Sequence, residues 1–169
     1  PEFHGLVDVV PNGISGEFAP GKNFPPRKYF LYVGDLRRRK NVFNWAKAYA
    51  EMPKDILEKY DFAFTGSGPE RKKIENFLTG RGLKKNIKAL GRVMEKELPD
   101  LYRNASLFVF PSLNEGFGLP VLEAQASGVP VVCGDNSSLG EVTGGSAEIC
   151  EVKKPVSIAR AVLRVLRDD

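Results

Sequence analysis

Short apolar runs alternate with amphipathic stretches along the whole chain. The runs are rich in aromatic or β-branched residues, and each stops at a glycine or a serine. Such runs are typical of strands that are buried on both faces of a parallel sheet. We therefore predict strands within residues 29–34, 61–66, 86–91, 107–112 and 130–134, and a weaker sixth strand within 146–152.

The stretches between these runs carry apolar residues at helical spacing. Asn41 is placed to cap a helix over 42–52, and Pro69 suits the first turn of a helix over 69–80 that Gly80 would close. Further helices are predicted within 95–105, 118–128 and 155–169. This alternation predicts an α/β domain with a Rossmann-like, doubly wound parallel sheet, in which ligands bind at the carboxyl ends of the strands.

Length and charge narrow the class of protein. A chain of 169 residues suggests one domain, and we interpret residues 1–3 as an expression-vector remnant and 4–169 as the domain itself. The net charge of +4 indicates some anionic contact, but no nucleic-acid-binding motif accompanies it. A basic surface that faces a membrane is an alternative interpretation of this charge. With no apolar stretch long enough for a bilayer, we expect a cytoplasmic protein, with the inner face of the membrane as a second location.

Histidine and cysteine give little support for a metal or redox site. The cysteines, Cys133 and Cys150, match no metal-binding or redox spacing, and Cys133 ends an apolar run. We expect a buried thiol there and no disulfide. His4 is the only histidine, and its place near the terminus favours a frayed residue over a catalytic one. We expect no metal in the site.

Three glycine turns follow predicted strands and could hold a ligand. After Gly34, four consecutive cations run from Arg37 to Lys40 just before a helix, which would suit a diphosphate. A solvated basic loop is the alternative. Gly66 and Gly68 begin a second turn that either borders a ligand or simply joins a strand tightly to a helix. Arg92, in the third turn, is a further candidate contact for an anion or a base.

The fourth turn places two glutamates on either side of a glycine-containing segment. Gly116 and Gly118 would let the backbone approach a ligand, and Pro120 would start a helix. Glu115 precedes the turn, whereas Glu123 lies one turn inside the helix. A carboxylate can accept two hydrogen bonds from a vicinal diol, as on a ribose or a sugar. The alternatives are a capping or salt-bridge role for Glu123 with an exposed Glu115, or a glycosidase-type pair, which would leave the anion-binding turns unexplained.

In order and over nearly the whole chain, these turns resemble a known family. The motifs are "VVPNGI" (9–14), "YVGDLRRRKNV" (32–42), "FTGSGPE" (64–70), "LGRV" (90–93) and the long "LPDLYRNASLFVFPSLNEGFGLPVLEAQASGVPVV" (98–132). The sequence resembles the C-terminal, donor-binding domain of a retaining GT-B glycosyltransferase of family 4. The last motif includes that family's two glutamates separated by seven residues.

The resemblance implies a role for each matched residue. Glu123 would bind the ribose of a nucleoside diphosphate sugar, Glu115 would face the sugar, and Lys40 with Arg39 would contact the diphosphate. We treat Glu115, Lys40 and Arg39 as the candidate catalytic residues. The remaining candidate donor-binding residues are Gly34, Gly66, Gly68, Arg92, Val93, Gly116, Phe117, Gly118 and Leu119.

The same resemblance implies the activity and the partners. The full-length enzyme would move a hexose of mannose or glucose type, with retention, from a UDP-, GDP- or ADP-sugar to a glycan or a lipid-linked sugar, as in polysaccharide biosynthesis. The acceptor would be held by an N-terminal domain that this chain lacks, so we expect the isolated chain to be inactive as a transferase. Peripheral contact of the full-length enzyme with a membrane is a further interpretation that we retain. The rival interpretations are a nucleotide-sugar epimerase on the same fold and a non-catalytic nucleotide-binding module.

The chain departs from the family pattern at Asp35. Many relatives place an arginine directly after the glycine of the first turn, where this chain has Asp35. An acidic side chain cannot replace a phosphate-binding arginine, so Arg37, Arg38 or Arg39 would have to compensate.

Overall fold

A six-stranded parallel sheet forms the centre of the domain. In a computed structural model, which describes residues 12–21 and 29–167, the strand order is β3-β2-β1-β4-β5-β6, and every pair is parallel. The predicted Rossmann-like, doubly wound sheet is confirmed. The strands are β1 (Tyr29–Tyr32), β2 (Asp61–Thr65), β3 (Ile87–Gly91), β4 (Leu107–Phe110), β5 (Val131–Cys133) and β6 (Glu148–Ile149).

Helices cover the sheet in two groups. The helices are α1 (Val42–Ala50), α2 (Lys54–Lys59), α3 (Arg71–Gly80), α4 (Leu98–Arg103), α5 (Leu119–Ala126), α6 (Leu139–Thr143) and α7 (Pro155–Val165). Helix α1 packs against α3 and α7, whereas α5 packs against α4 and α6. This is the arrangement expected when right-handed crossovers leave a parallel sheet in two directions from its centre.

The central strands are buried as predicted, but the edge strands are not. Every residue of β4 and β5 is buried, whereas β3 alternates between half-buried and exposed positions because it lies at an edge. The core between the sheet and α1 is aromatic. Phe30 stacks on Tyr60 with ring centroids 4.7 Å apart and also contacts Trp45 at 5.9 Å. Such pairs add stabilisation beyond burial of their area.

Several predicted helix boundaries differ from the structure. Helix α3 ends at Gly80 as expected but begins at Arg71, so Pro69 lies in the turn before it. The stretch 95–105 divides into a 3-10 turn and the short α4. The short helices α2 and α6 were not predicted, because five or six residues carry too little periodicity.

Some predictions fall outside the described residues. They concern residues 1–3, His4, the first part of the motif at 9–14, and the last two residues of the predicted C-terminal helix.

Both cysteines are buried and free, and burial raises the pKa of each thiol to about 12. Among the described residues, no helix has the length and the apolar character needed to cross a membrane.

Candidate functional site

The sheet reverses its strand order between β1 and β4. The chain leaves β1 toward α1 on one side and leaves β4 toward α5 on the other. In sheets of this kind the ligand-binding crevice lies at the carboxyl end beside two such loops. We call residues 33–41 the β1 loop and residues 111–118 the β4 loop. The two loops carry Lys40 and Glu115, which the sequence had predicted to act together.

One ion pair joins these two loops. Lys40 Nζ lies 2.7 Å from Glu115 Oε1, and each side chain is about nine-tenths buried, with 10% and 9% exposed. Arg39 Nη1 lies 3.7 Å from the other carboxylate oxygen, and Lys40 also lies over the ring of Phe110. A buried pair of this kind costs about 3–5 kcal/mol to break from one side, because the remaining charge is left without a partner.

Main-chain and side-chain hydrogen bonds hold the same two loops in register. The Leu113 N–H donates to Arg39 O at 2.8 Å. Asn41 is buried in a left-handed conformation and donates through Nδ2 to Pro111 O at 3.0 Å and Val152 O at 2.7 Å. The prediction that the Asn41 side chain caps α1 is therefore wrong. It links the two loops and the segment after β6 instead.

The loop after β5 supports the β4 loop, and sequence reasoning missed it. Asn136 Nδ2 donates to Ser112 O at 3.0 Å, and Ser137 Oγ accepts the Glu115 N–H at 3.0 Å. Ser138 Oγ contacts the carbonyls of Glu115 and Phe117 at 3.2 and 2.8 Å. The polar cluster "DNSS" (135–138), directly after a buried strand, was the available signal.

Asp35 is matched by arginines of its own loop. Its Oδ2 atom lies 3.4 Å from Arg37 Nε and 3.9 Å from Arg39 Nη2, whereas Arg38 lines a different pocket. The acidic departure from the family pattern is thus largely neutralised by Arg37 and Arg39. The charge left for an anionic ligand in this loop is correspondingly smaller than the run of four cations suggests.

Glu123 lies in α5 and has a single hydrogen-bond donor. The Tyr102 hydroxyl donates to Oε2 at 2.8 Å, and no cation pairs with Glu123 among the described residues. Neither of the alternative roles, a helix cap or a salt bridge, is seen. Burial raises the pKa of the Glu123 carboxyl, the Tyr102 hydrogen bond opposes that rise, and the nearby Glu95 charge adds to it. The carboxylate is thus held half-buried, with no counterion from residues 12–21 or 29–167.

The glycine turn before α5 requires glycine at one of its two glycine positions. Gly118 has φ +106°, and a Cβ there would lie 2.6 Å from Leu139 Cδ2, so a side chain is excluded on both counts. Gly116 faces open space and is exposed, while Phe117 is half-buried and Leu119 exposed. Pro120 lies in the first turn of α5. The first N–H groups of a helix have no intrahelical partner and so are available to an anion.

Gly66 and Gly68 let the loop after β2 pack closely against the β1 loop. A Cβ on Gly66, at φ +80°, would lie 2.0 Å from Gly34 O, and one on Gly68 would lie 2.6 Å from Leu36 O. The Leu36 N–H also donates to Ser67 O at 2.9 Å. The alternative interpretation, a tight strand-to-helix turn, accounts for this geometry, and any ligand contact comes in addition to it.

The third turn lies along a separate groove. Arg92 and Val93 line a cleft of about 370 Å³ together with residues of α4. Lys40, Arg39 and Glu115 do not line it. Glu95 follows this turn and is close enough to raise the Glu123 pKa, which places the turn on the Glu123 side of the crevice. No group of three His, Cys, Asp or Glu residues suited to a metal occurs in the described part of the chain.

The fold defines a Rossmann-like domain with a candidate site at its switch point. The sequence matches the family model described as "Glycosyl transferases group 1" over residues 16–169, and the chain belongs to this family. It is 37% identical over 142 residues to O-antigen chain mannosyltransferase B of Escherichia coli, which covers 83% of this chain. The chain spans 37% of the length of that curated relative, well under half.

Two solved structures share the fold. Sucrose-phosphate synthase from Thermosynechococcus elongatus superposes with a TM-score of 0.82 at 25% identity, over 97% of this chain and 44% of that one. The C-terminal domain of a glycosyl transferase group 1 family protein, LpcC from Francisella tularensis, gives 0.74 at 26% identity, over 93% of this chain and 89% of that one. The fold is therefore that of the C-terminal domain of a GT-B glycosyltransferase.

The Glu123 environment predicts a pH-dependent stability. Because burial disfavours the charged form, the folded chain holds the proton more tightly than the unfolded chain. This group's contribution to stability is therefore full below the usual glutamate pKa and is lost as pH rises through the folded value. We expect Glu123→Gln to raise the free energy of unfolding at pH 7, by less than about 1 kcal/mol because water screens a half-buried group.

Urea unfolding of the unliganded chain at pH 7 and near pH 4 measures this effect. The gain should vanish near pH 4, where Glu123 itself becomes protonated. Glu141→Gln, at an exposed glutamate of α6, is the matched control. A Glu123→Gln variant that is no more stable than the parent at pH 7 would contradict the assignment.

Proposed function

We propose that this chain is the donor-binding domain of a retaining glycosyltransferase of family 4. The enzyme would move a hexose of mannose or glucose type from a nucleoside diphosphate sugar to a glycan or lipid-linked acceptor. The observation that carries this proposal is the buried Lys40–Glu115 pair at the switch point, beside the glycine turn that opens α5. Family membership and the mannosyltransferase relative support it.

In this proposal the ribose binds at Glu123. Among the residues that the structure describes, the Tyr102 hydroxyl is the one donor to this half-buried carboxylate, so it keeps acceptor capacity for the two ribose hydroxyls. A carboxylate without a counterion is costly to maintain at neutral pH, and hydrogen bonds from a diol would offset that cost. The base would lie toward Arg92 and Val93, on the side from which Glu95 influences Glu123.

The diphosphate would lie between the two loops. The N–H groups at Gly116, Phe117, Gly118 and Leu119 lie at the start of α5, where the helix dipole favours negative charge. Arg39 and Lys40 approach from the other loop. Gly34, Gly66 and Gly68 would shape the floor of the diphosphate site, because they let the β1 loop and the loop after β2 meet closely.

The sugar would face Glu115, and transfer would occur with retention. Lys40 and Arg39 would stabilise the negative charge that develops on the departing diphosphate as the anomeric bond breaks, an electrostatic contribution with no covalent step by the protein. The acceptor hydroxyl would attack from the same face and give up its proton to the leaving phosphate. Glu115, which Lys40 holds in place, would position the sugar. In this proposal no metal ion takes part in the transfer.

Other parts of the proposal concern the whole enzyme. The acceptor would be held by a separate N-terminal domain, with residues 4–169 as the donor half, and the enzyme would act in the cytoplasm or at the inner face of the membrane. The donor base and sugar are to be found by titrating the chain with UDP-, GDP- and ADP-sugars.

Two substitutions test the assigned roles of the glutamates. We expect Glu123→Ala to weaken binding of both the bare diphosphate and the sugar nucleotide, by about 1.5–3 kcal/mol or roughly one to two decades in affinity. We expect Glu115→Gln to remove the added affinity that the sugar provides without weakening binding of the bare diphosphate, because Lys40 and Arg39 keep their charges when the Glu115 carboxylate is neutralised. Calorimetry on folded variants, with the ligand chosen by the donor titration, measures both effects.

The control is Glu141→Gln, which should bind both ligands like the parent. Small and equal effects of the Glu115 and Glu123 substitutions on both ligands would reject this placement of the donor.

The Asp35 position gives an independent test of the phosphate site. Replacing the carboxylate releases Arg37 and Arg39 and adds a positive charge, so Asp35→Arg should tighten nucleoside diphosphate binding, by about tenfold at most at low salt. The gain should shrink at higher salt, because partly exposed charges are screened. Affinity measured at low and moderate salt reports the effect.

Asp55→Arg is the matched control, since it makes the same charge change at an exposed position on α2. A folded Asp35→Arg variant that no longer binds, or a gain equal to that of Asp55→Arg, would mean that the β1 loop is not the phosphate site.

A further inference from the structure

A second pocket lies outside the crevice described above. It has a volume of about 360 Å³ and is formed by the beginnings of α1 and α3, the 3-10 turn at Arg38–Lys40, and the segment before α7. Neither Glu115 nor Glu123 lines it, and no residue of the glycine turn before α5 does so. The pocket is therefore distinct from the proposed donor site, although it lies beside it: Arg38 and Asn41 of the β1 loop and Leu113 of the β4 loop line its walls.

The charge around this pocket is strongly positive. Arg38, Lys47, Lys73 and Lys153 all line it, and Glu70 is its one acidic residue. Glu70 pairs with Lys73 at 3.1 Å, which leaves the other three cations with no carboxylate partner in the described ranges. The pocket thus carries an excess of three positive charges.

Two basic residues at the ends of α3 that do not line the pocket have carboxylate partners, whereas Lys72 within α3 has none in the described ranges. Arg71 lies 2.9 Å from Glu75 within α3, and Arg81 lies 2.7 Å from Glu51. Grouping three unmatched cations from different elements around one cavity costs repulsion that an anionic ligand would relieve.

An aromatic ring fixes two of the ammonium groups. The Nζ atoms of Lys73 and Lys47 lie 3.9 Å and 4.9 Å from the centroid of the Phe43 ring. Phe43 is itself held by an edge-on contact with Phe77 at 5.3 Å. The two lysines are therefore restrained before any ligand arrives, which lowers the entropic cost of binding.

We propose that this pocket binds a phosphate or diphosphate group of a second ligand. An excess of three positive charges matches the charge of a diphosphate, and several cations arriving from different directions suit its tetrahedral oxygens. The phosphate could belong to a soluble phosphorylated saccharide or to a lipid headgroup, and the chemistry recognised is the same. The proposal concerns a different pocket from the donor site and does not depend on the donor assignment.

The test is a titration of the ¹⁵N-labelled chain with inorganic pyrophosphate, followed by NMR. The reporters are the side-chain amide of Asn44, which lines the pocket, and the backbone amides of Gly116 and Gly118 for the donor site. We compare the parent with Lys47→Gln/Lys153→Gln and with Lys84→Gln/Lys85→Gln. The last variant makes the same charge change at two exposed lysines distant from the pocket.

We expect the pocket affinity reported by Asn44 to fall by about tenfold or more in Lys47→Gln/Lys153→Gln. It should change little in the control, and Gly116 and Gly118 should respond alike in all three proteins. A pocket that responds equally in both double variants, or that never responds, would overturn the proposal and leave a solvated basic surface.

Vesicles distinguish the two sources of phosphate. Co-sedimentation with phosphatidylglycerol vesicles but not with phosphatidylcholine vesicles, lost in Lys47→Gln/Lys153→Gln only, would support the site and assign it to a lipid headgroup. Pyrophosphate binding without vesicle binding would support it and assign a soluble phosphorylated ligand. Vesicle binding that both double variants retain, with no response of Asn44 to pyrophosphate, would refute it.

Discussion

The ion pair between Lys40 and Glu115 is the constraint on which the site depends. It joins the first loop of one half of the sheet to the first loop of the other half, at the point where the strand order reverses. Both side chains are nearly removed from water, so each carries a desolvation cost that the other largely offsets, with smaller contributions from Arg39 and the Phe110 ring. The pair therefore holds the β1 loop and the β4 loop together. Asn41 and the serines of the loop after β5 hold the same geometry with uncharged hydrogen bonds.

The environment of the Glu123 carboxylate is the opposite of that of Glu115. Within the described part of the chain its carboxyl has one hydrogen-bond donor and no cation, and burial raises its pKa. Such a group destabilises the unliganded fold at neutral pH, yet it is the group that a diol can satisfy. The buried Tyr102 holds it in place, with a phenol whose own pKa is raised well above its usual value by burial. If Glu123 binds the ribose as proposed, stability at this position is given up for binding capacity, a compromise common at functional sites.

The sequence was sufficient for the fold because strand burial and strand–helix alternation are local signals. Runs such as 107–112 and 130–134 could be assigned from their composition, and the parallel sheet followed from their order. The sequence indicated that Lys40 and Glu115 belong to one site with separate roles, but it did not indicate that they contact each other. Their direct contact spans 75 positions in sequence and depends on strand order.

Other features had no local signal. Asn41 looked like a helix cap because it precedes a helix, and its two carbonyl partners lie 70 and 111 positions away. The cation run looked like a single phosphate-binding cluster, but the structure turns Arg37 and Arg39 toward Asp35 and Arg38 into another pocket. Side-chain direction within a loop depends on what packs against it, which the chain order alone does not reveal.

A double-mutant cycle on Lys40 and Glu115 tests the central claim most directly. The variants are Lys40→Met, Glu115→Leu and their combination, which keep the side-chain volumes similar, and the measurement is the free energy of unfolding in urea. We predict that each single substitution costs about 3 kcal/mol, and that the combination costs clearly less than the sum, with a coupling above about 1 kcal/mol. Two additive, small effects would contradict the claim that this pair holds the two halves of the site together.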